Sequence, residues 1–276
     1  MDSQTDISSL QNPKVKLVVK LRDRRDREKT GLFLIEGYRE LLRAKQGNHP
    51  IETLMICPEL FLGTNELSLI DSIRSQGATV LSCSKQVFQK MSYRDRPDGL
   101  IAIAPQSHLS LKDLEKQIIN TPSPFLIVAE AIEKPGNLGT ILRSSDAVNL
   151  DALIVCDRCT DIHNPNVVRA SVGALFNVPI IESESPETIN WLKHQNIKIL
   201  AATPSATVEY TEVDMTQPLA IAVGTEQLGL SDVWMDQADI QVRIPMCGIA
   251  DSLNVATATT LLMYEALRQR RLNHEA

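Results

Sequence analysis

Short apolar runs alternate along this chain with longer stretches whose apolar residues recur every three or four positions. The first pattern reads as strand and the second as helix. In the first hundred residues the strands are Leu32–Gly37, Thr53–Cys57, Thr79–Ser82 and Gly99–Ala104. The helices between them are 12–30, Tyr38–Gln46, Glu66–Ser75 and Lys85–Ser92, several closed by glycine. Val15, Val18, Val19 and Leu21 supply the apolar stripe of the first helix, and Arg94-Asp-Arg-Pro-Asp-Gly reads as a polar turn. Pro105 and Thr121-Pro-Ser-Pro then bracket a boundary segment in which Leu111–Ile119 predicts a connecting helix. Beyond it, strands at Phe125–Ala129, Ala152–Cys156, Pro179–Ile181, Ile197–Ala202, Leu219–Val223 and Ile240–Ile244 alternate with helices. Those helices are Leu138–Val148, Val167–Leu175, Glu187–His194, Ser231–Ala238 and Ser252–Leu272. Strands alternating with helices of this length predict a parallel sheet covered on both faces. The expected division is 1–106, a linker 107–123, and 124–276.

Composition narrows the class. With 43% hydrophobic residues in 276, the chain has enough apolar material for two cores. No apolar run approaches the ~18 residues of a membrane helix, and the N-terminus lacks a secretory pattern. Five cysteines, an odd number, suggest reduced thiols and a cytoplasmic location. Net charge is −6, yet Lys14–Lys29 holds eight basic and three acidic residues. Such an arm is either an electrostatic footprint for phosphate backbones, with Arg22, Arg24, Arg25 and Arg27 as contacts, or a solvated helix face.

The common nucleotide and hydrolase motifs are missing: no G-x-G-x-x-G, no P-loop, no H-E-x-x-H and no G-x-S-x-G. Cys156, Cys159 and His163 have ligand-like spacing but lack a second pair, so packing is preferred over zinc and no metal is expected. Three loops at strand ends stand out instead. The first, Glu130–Leu138, leads to Asn137 and, six residues on, Arg143. Asn137 could be a helix cap beside an exposed arginine. The second, Gly224–Leu230, carries Glu226, either a solvated carboxylate or a partner for the first loop's arginine. The third, Met246–Asn254, places Ser252 and Asn254 at the start of the last helix.

Together these stretches resemble the three ordered motifs of the SpoU (TrmH) branch of the SPOUT superfamily of RNA methyltransferases. Asn137, Gly139, Arg143 and Ala147 match the first motif; Gly224, Glu226, Gly229 and Leu230 the second; Ser252, Leu253, Asn254, Val255 and Ala258 the third. Val168–Phe176 and, more weakly, Phe33–Gly37 are also similar to the family. Thr225, Gln227 and Ala147-Val-Asn depart from its usual residues and blur the subfamily. The resemblance implies a C-terminal parallel-sheet domain with a deep trefoil knot, preceded by a smaller α/β domain like ribosomal protein L30e. It implies S-adenosylmethionine as methyl donor, a homodimer through the knotted domain, and methylation of a ribose 2′-hydroxyl in structured RNA. Ribosomal RNA is favoured over transfer RNA. Asn137, Arg143, Glu226, Ser252 and Asn254 are then the catalytic candidates. Thr203, Gly224, Ile244, Met246 and Leu253 are assigned to the cofactor, and Arg169 to RNA phosphate. The competing readings are a transfer-RNA 2′-O-methyltransferase, a base methyltransferase of the same superfamily, and a non-catalytic RNA-binding protein with a relic site.

Overall fold

The computed structural model of the chain describes residues 6–225 and 227–275. Its contacts divide into two units. One is the chain up to Ser107 together with Asp161–Asn177; the other is His108–Thr160 with Val178 onward.

The first unit begins with β1 (Asp6–Ile7), α1 (Pro13–Lys20) and α2 (Arg24–Thr30). The single helix expected over 12–30 is therefore two. Asp23 ends the first by capping the second, its carboxylate accepting the Arg25 N–H at 2.8 Å. An aspartate that bonds main chain two residues on favours a cap over helix continuation. Then follow β2 (Leu32–Glu36), α3 (Tyr38–Gln46), β3 (Thr53–Ile56), α4 (Glu66–Ser75), β4 (Thr79–Cys83), α5 (Lys85–Met91) and β5 (Leu100–Pro105). The five strands form a mixed sheet in the order β1-β4-β3-β5-β2, with β5 antiparallel to both its neighbours. Both faces are apolar, and the two-residue period sorts them. Phe33, Ile35, Leu54, Ile56 and Ala102 enter one core, while Leu34, Met55, Ile101 and Ile103 enter the other with Val15, Val18 and Phe88.

The second unit opens with α6 (Leu111–Ile118), which packs its buried Leu111, Leu114 and Ile118 into the unit's core. The segment is thus not a free linker. β6 (Phe125–Glu130), α7 (Pro135–Ala147) and β7 (Ala152–Cys156) come next. The chain then leaves for the first unit, where α8 (Pro165–Ala170) places Val168 in the core beside Phe33 and Leu41. The helix expected over Val167–Leu175 stops early because Val172 and Gly173 take φ of 55° and 87°. A Cβ at Gly173 would meet Arg43 Cβ at 2.6 Å, so glycine permits the close approach to α3.

Back in the second unit lie β8 (Ile180–Ser183), α9 (Ser185–His194), β9 (Lys198–Ala202), β10 (Val208–Glu209), β11 (Leu219–Val223), α10 (Asp232–Gln237), β12 (Ile240–Arg243) and α11 (Val255–Glu275). The sheet is parallel throughout, ordered β10-β12-β9-β11-β6-β7-β8. Its central strands β6, β7 and β11 are buried at every position, as their unbroken apolar runs predict. The short β1 and β10 carry too few residues for a pattern and were not expected.

Candidate active site

The loops that matter leave the sheet together. β12, β9, β11 and β6 are consecutive neighbours, with Val242 opposite Ala202 and Ala222 opposite Ala201. Thr203, Gly224 and Ile244 therefore emerge side by side from the C-terminal strand ends, where open α/β sheets bind ligands. The Thr203 N–H donates to Val242 O at 2.9 Å, tying the β9 loop to β12.

Each loop is held by its neighbours. Glu130, at the end of β6, is 4% exposed. Its two oxygens accept the Ser231 N–H at 2.8 Å and the Ser231 hydroxyl at 2.5 Å, joining the first loop to the second. A buried carboxylate at the start of α10 thus satisfies the Ser231 main-chain donor, which has no helical partner. Thr160 Oγ1 donates to Glu133 O at 2.7 Å and fixes the middle of the first loop. In the second loop, Thr225 and Gly229 exchange main-chain hydrogen bonds at 3.0 and 3.1 Å. A Cβ on Gly224 would stand 2.1 Å from Gly229 main-chain atoms, so only glycine closes this turn.

Asn137 is not the cap of α7. Lys134 holds that position, and Asn137 sits inside the first turn. Its Oδ1 accepts from Asn254 Nδ2 at 3.2 Å. Asn254 in turn caps α11, its Oδ1 accepting the N–H groups of Ala256 at 3.0 Å and Thr257 at 3.4 Å. The first and third loops are thus joined side chain to side chain. Further along, Ser144 Oγ and Thr260 Oγ1 hydrogen-bond at 2.7 Å, extending the α7–α11 contact. Ser252 lies three residues before the helix rather than at its start; it is exposed and donates to Asp251 at 3.3 Å.

Arg143 is exposed, one position off the stripe that faces α11. Among the described residues no hydrogen bond or ion pair holds its guanidinium. Glu226 lies outside the described residues. Ile244, Met246 and Leu253 are half-buried. Among the described residues, 245–253 make no main-chain-to-main-chain hydrogen bond.

The basic residues divide. Arg27 was expected to meet RNA, but it is 1% exposed. It pairs with Asp161 at 2.6 Å and donates to Leu21 O and Arg22 O, so it holds the first unit together instead. Arg22 donates to Lys90 O and Ser92 O at 2.8 and 2.6 Å; its guanidinium is committed to its own unit. Arg24, Arg25 and Arg169 are exposed, Arg24 paired with Glu28 and Arg169 bonded to Asn166.

Of the two cysteines, Cys156 packs in the core. Burial pushes its thiol up to about 12 despite a contact with Thr188. Cys159 is exposed. His163 is buried against Phe33 in the first unit. Glu130 was the functional position most easily missed, and its signal was a charge closing an otherwise apolar strand.

A parallel α/β domain whose adjacent strand-end loops are bolted together around an open main-chain loop defines an enzyme-type ligand site. The SpoU rRNA Methylase family matches residues 124–264, and the MRM3-like substrate binding domain matches residues 12–102. The chain belongs to the SpoU methylase family. It is 31% identical over 262 residues to the 23S rRNA (uridine(2479)-2′-O)-methyltransferase of Streptomyces viridochromogenes, covering 91% of this chain and 87% of that protein. It is 27% identical to the 23S rRNA (guanosine(2553)-2′-O)-methyltransferase of Bacillus subtilis, covering 94% and 97%. The AdoMet-bound rRNA methyltransferase of Sinorhizobium meliloti superposes with a TM-score of 0.86 at 29% identity, over 96% of this chain and 97% of that one.

Proposed function

We propose that this protein transfers a methyl group from S-adenosylmethionine to a ribose 2′-hydroxyl of large-subunit ribosomal RNA. Support comes from the family, from relatives named for that reaction over 87–97% of their length, and from a site whose residues fit it. The single observation that carries the reading is the Asn137–Asn254 hydrogen bond, which brings the first and third motifs to one place.

The cofactor site fits a ligand held by main chain. Thr203, Gly224 and Ile244 stand at the strand ends, and Met246 and Leu253 lie in the 245–253 loop, whose main-chain groups make no main-chain hydrogen bond among the described residues. When bound, S-adenosylmethionine supplies a methyl group already activated on a sulfonium. The protein's share is to align the ribose hydroxyl and to stabilise the charge it develops. Arg143 carries a permanent positive charge and stabilises the developing alkoxide or clamps the adjacent phosphate. Asn137 and Asn254 orient ribose and arginine, and Ser252 offers a hydroxyl at the rim. Glu226 is assigned to an arginine on sequence resemblance alone.

The same reading includes the family's trefoil knot. β12 lies outside β9, while α11, the next element, returns to pack on α7 beyond β6. That return across the sheet supports the knotted path without itself being a knot. It also includes a homodimer through this unit, supported by exposed Leu228, Ile249, Leu261 and Tyr264. The first unit is read as the L30e-like domain that chooses the RNA. Its compartment is then the cytoplasm; no described helix is long and apolar enough to cross a membrane.

The test is incubation of protein-free large-subunit rRNA, and separately of transfer RNA, with the protein and S-adenosylmethionine, followed by nucleoside mass spectrometry and mapping of 2′-O-methylation. One new ribose methylation is expected. Methylation confined to a base or to transfer RNA sinks the proposal.

A further inference from the structure

The first unit holds a cleft of about 680 Å³ that the active-site loops do not line. It is a shallow hollow open to solvent, a shape suited to a surface-bound backbone segment. Arg39, Arg96 and Arg169 line it and are exposed. Among the described residues no carboxylate pairs with any of the three. Arg94 forms the floor differently: it pairs with buried Glu40 at 2.7 Å, donates to Glu36 O at 2.7 Å, and approaches Asp98 at 3.9 Å. Those two carboxylates more than offset the charge of Arg94, and exposed Asp95 offsets part of the rim. Burial raises the Glu40 pKa against the pull of Arg94. One oxygen each of Glu40 and Asp98 is buried without a partner. Gly37, at φ 114°, has no room for a Cβ, which would meet Glu40 and Arg94 side-chain atoms at 2.5–2.6 Å. The cleft is therefore built around a floor of paired charges, with three further guanidiniums on its lining.

We infer that this cleft, rather than the basic N-terminal helices, is the principal RNA-phosphate subsite, and that it takes one unstacked nucleotide with its phosphate on Arg39, Arg96 and Arg169. Guanidiniums bind phosphate oxygens bidentately, and proteins recognise RNA through nucleotides splayed out of single-stranded loops. Two of the four arginines expected on the N-terminal helices, Arg22 and Arg27, are committed to internal contacts. Arg169 reaches the cleft because Asp161–Asn177 packs in the first unit although it lies among catalytic motifs in sequence. The inference rests on the methyltransferase reading for its RNA substrate.

The experiment measures binding of the full chain to protein-free large-subunit rRNA across a salt series. The variants are R39A/R96A/R169A and, as a charge control, R74A, whose exposed arginine pairs with Asp71. The triple variant should lose tenfold or more in affinity. Its slope of log affinity against log salt should fall by roughly 0.7, the contribution of one single-strand phosphate. R74A should bind within twofold of wild type, and urea melts should match throughout. If the triple variant is destabilised, the single reversal R96E replaces it with the same expectation. Triple-variant affinity within twofold of wild type overturns the subsite. Weakened binding with no methyl transfer by the wild-type protein leaves the subsite standing and removes the methyltransferase reading instead.

Discussion

Arg27 and Arg143 both sit in polar surroundings in sequence, yet the fold gives them opposite tasks. Arg27 is sealed against Asp161, whose other oxygen accepts the His163 N–H at 2.9 Å. Removing one partner of a buried pair leaves the other charge desolvated. Arg27→Ala should therefore lower the unfolding free energy by about 3–5 kcal/mol in urea melts, whereas an exposed arginine such as Arg25 should matter little to stability. Arg143 is exposed, with nothing to hold in the folded protein. Arg143→Ala should leave the melting curve and the S-adenosylmethionine affinity unchanged by calorimetry. Methyl transfer should drop by on the order of a hundredfold or more, the scale of losing a charge-stabilising donor. A variant turning over near the wild-type rate removes Arg143 from the mechanism. Sequence reading named both asparagines as site candidates and left Asn137 open as a cap. Only geometry resolves that, because capping depends on where the helix starts, and Pro135 starts it two residues earlier.

At the scale of elements, caps and left-handed residues explain where periodicity misleads. Asp23 splits one expected helix, and Val172 with Gly173 shortens another. Neither interrupts the spacing of apolar residues, so the pattern ran through both. α6 shows the reverse, a short helix legible from its ends. Ser110 and Asp113 form a capping box, with the Ser110 hydroxyl donating to the Asp113 carboxylate at 2.6 Å. Those bonds, chiefly to the Ser110 side chain, pull the Asp113 pKa from 3.8 to about 2. The folded value is depressed, so this contribution to stability is present above pH 3.8 and is lost as pH falls toward 2. Ser110→Ala should return the Asp113 titration toward 3.8, read by NMR of the side-chain carboxyl. Its acid-unfolding midpoint should move to higher pH. An unchanged titration would mean that Lys116 or the solvent sets the value.

At the scale of the molecule, exposed apolar residues of the second unit are the clearest unfinished surface. Leu261 and Tyr264 on α11 are 40% and 49% exposed. If the unit dimerises through this helix, L261E/Y264E should sediment as a monomer while wild type sediments as a dimer. Identical sedimentation of the two proteins would move the interface elsewhere or remove it. The division into units was only partly legible. Composition located a boundary at 105–124, but the contacts of Asp161–Asn177 belong with the first unit. A segment's sequence neighbours do not determine its spatial ones when its apolar residues, here Val168, find a core elsewhere.

What the chain determined by itself was local and ordered: the alternation of strands and helices, the buried central strands, and three motifs at strand-to-helix junctions. These are readable because side-chain period follows from backbone geometry within a few residues. What only the tertiary structure decided was which groups meet. Glu130 finds Ser231, Asn254 finds Asn137, and Arg27 is buried while Arg39, Arg96 and Arg169 gather at one cleft. Those meetings join residues far apart in sequence, and their distances are set by sheet order and helix packing rather than by any spacing along the chain.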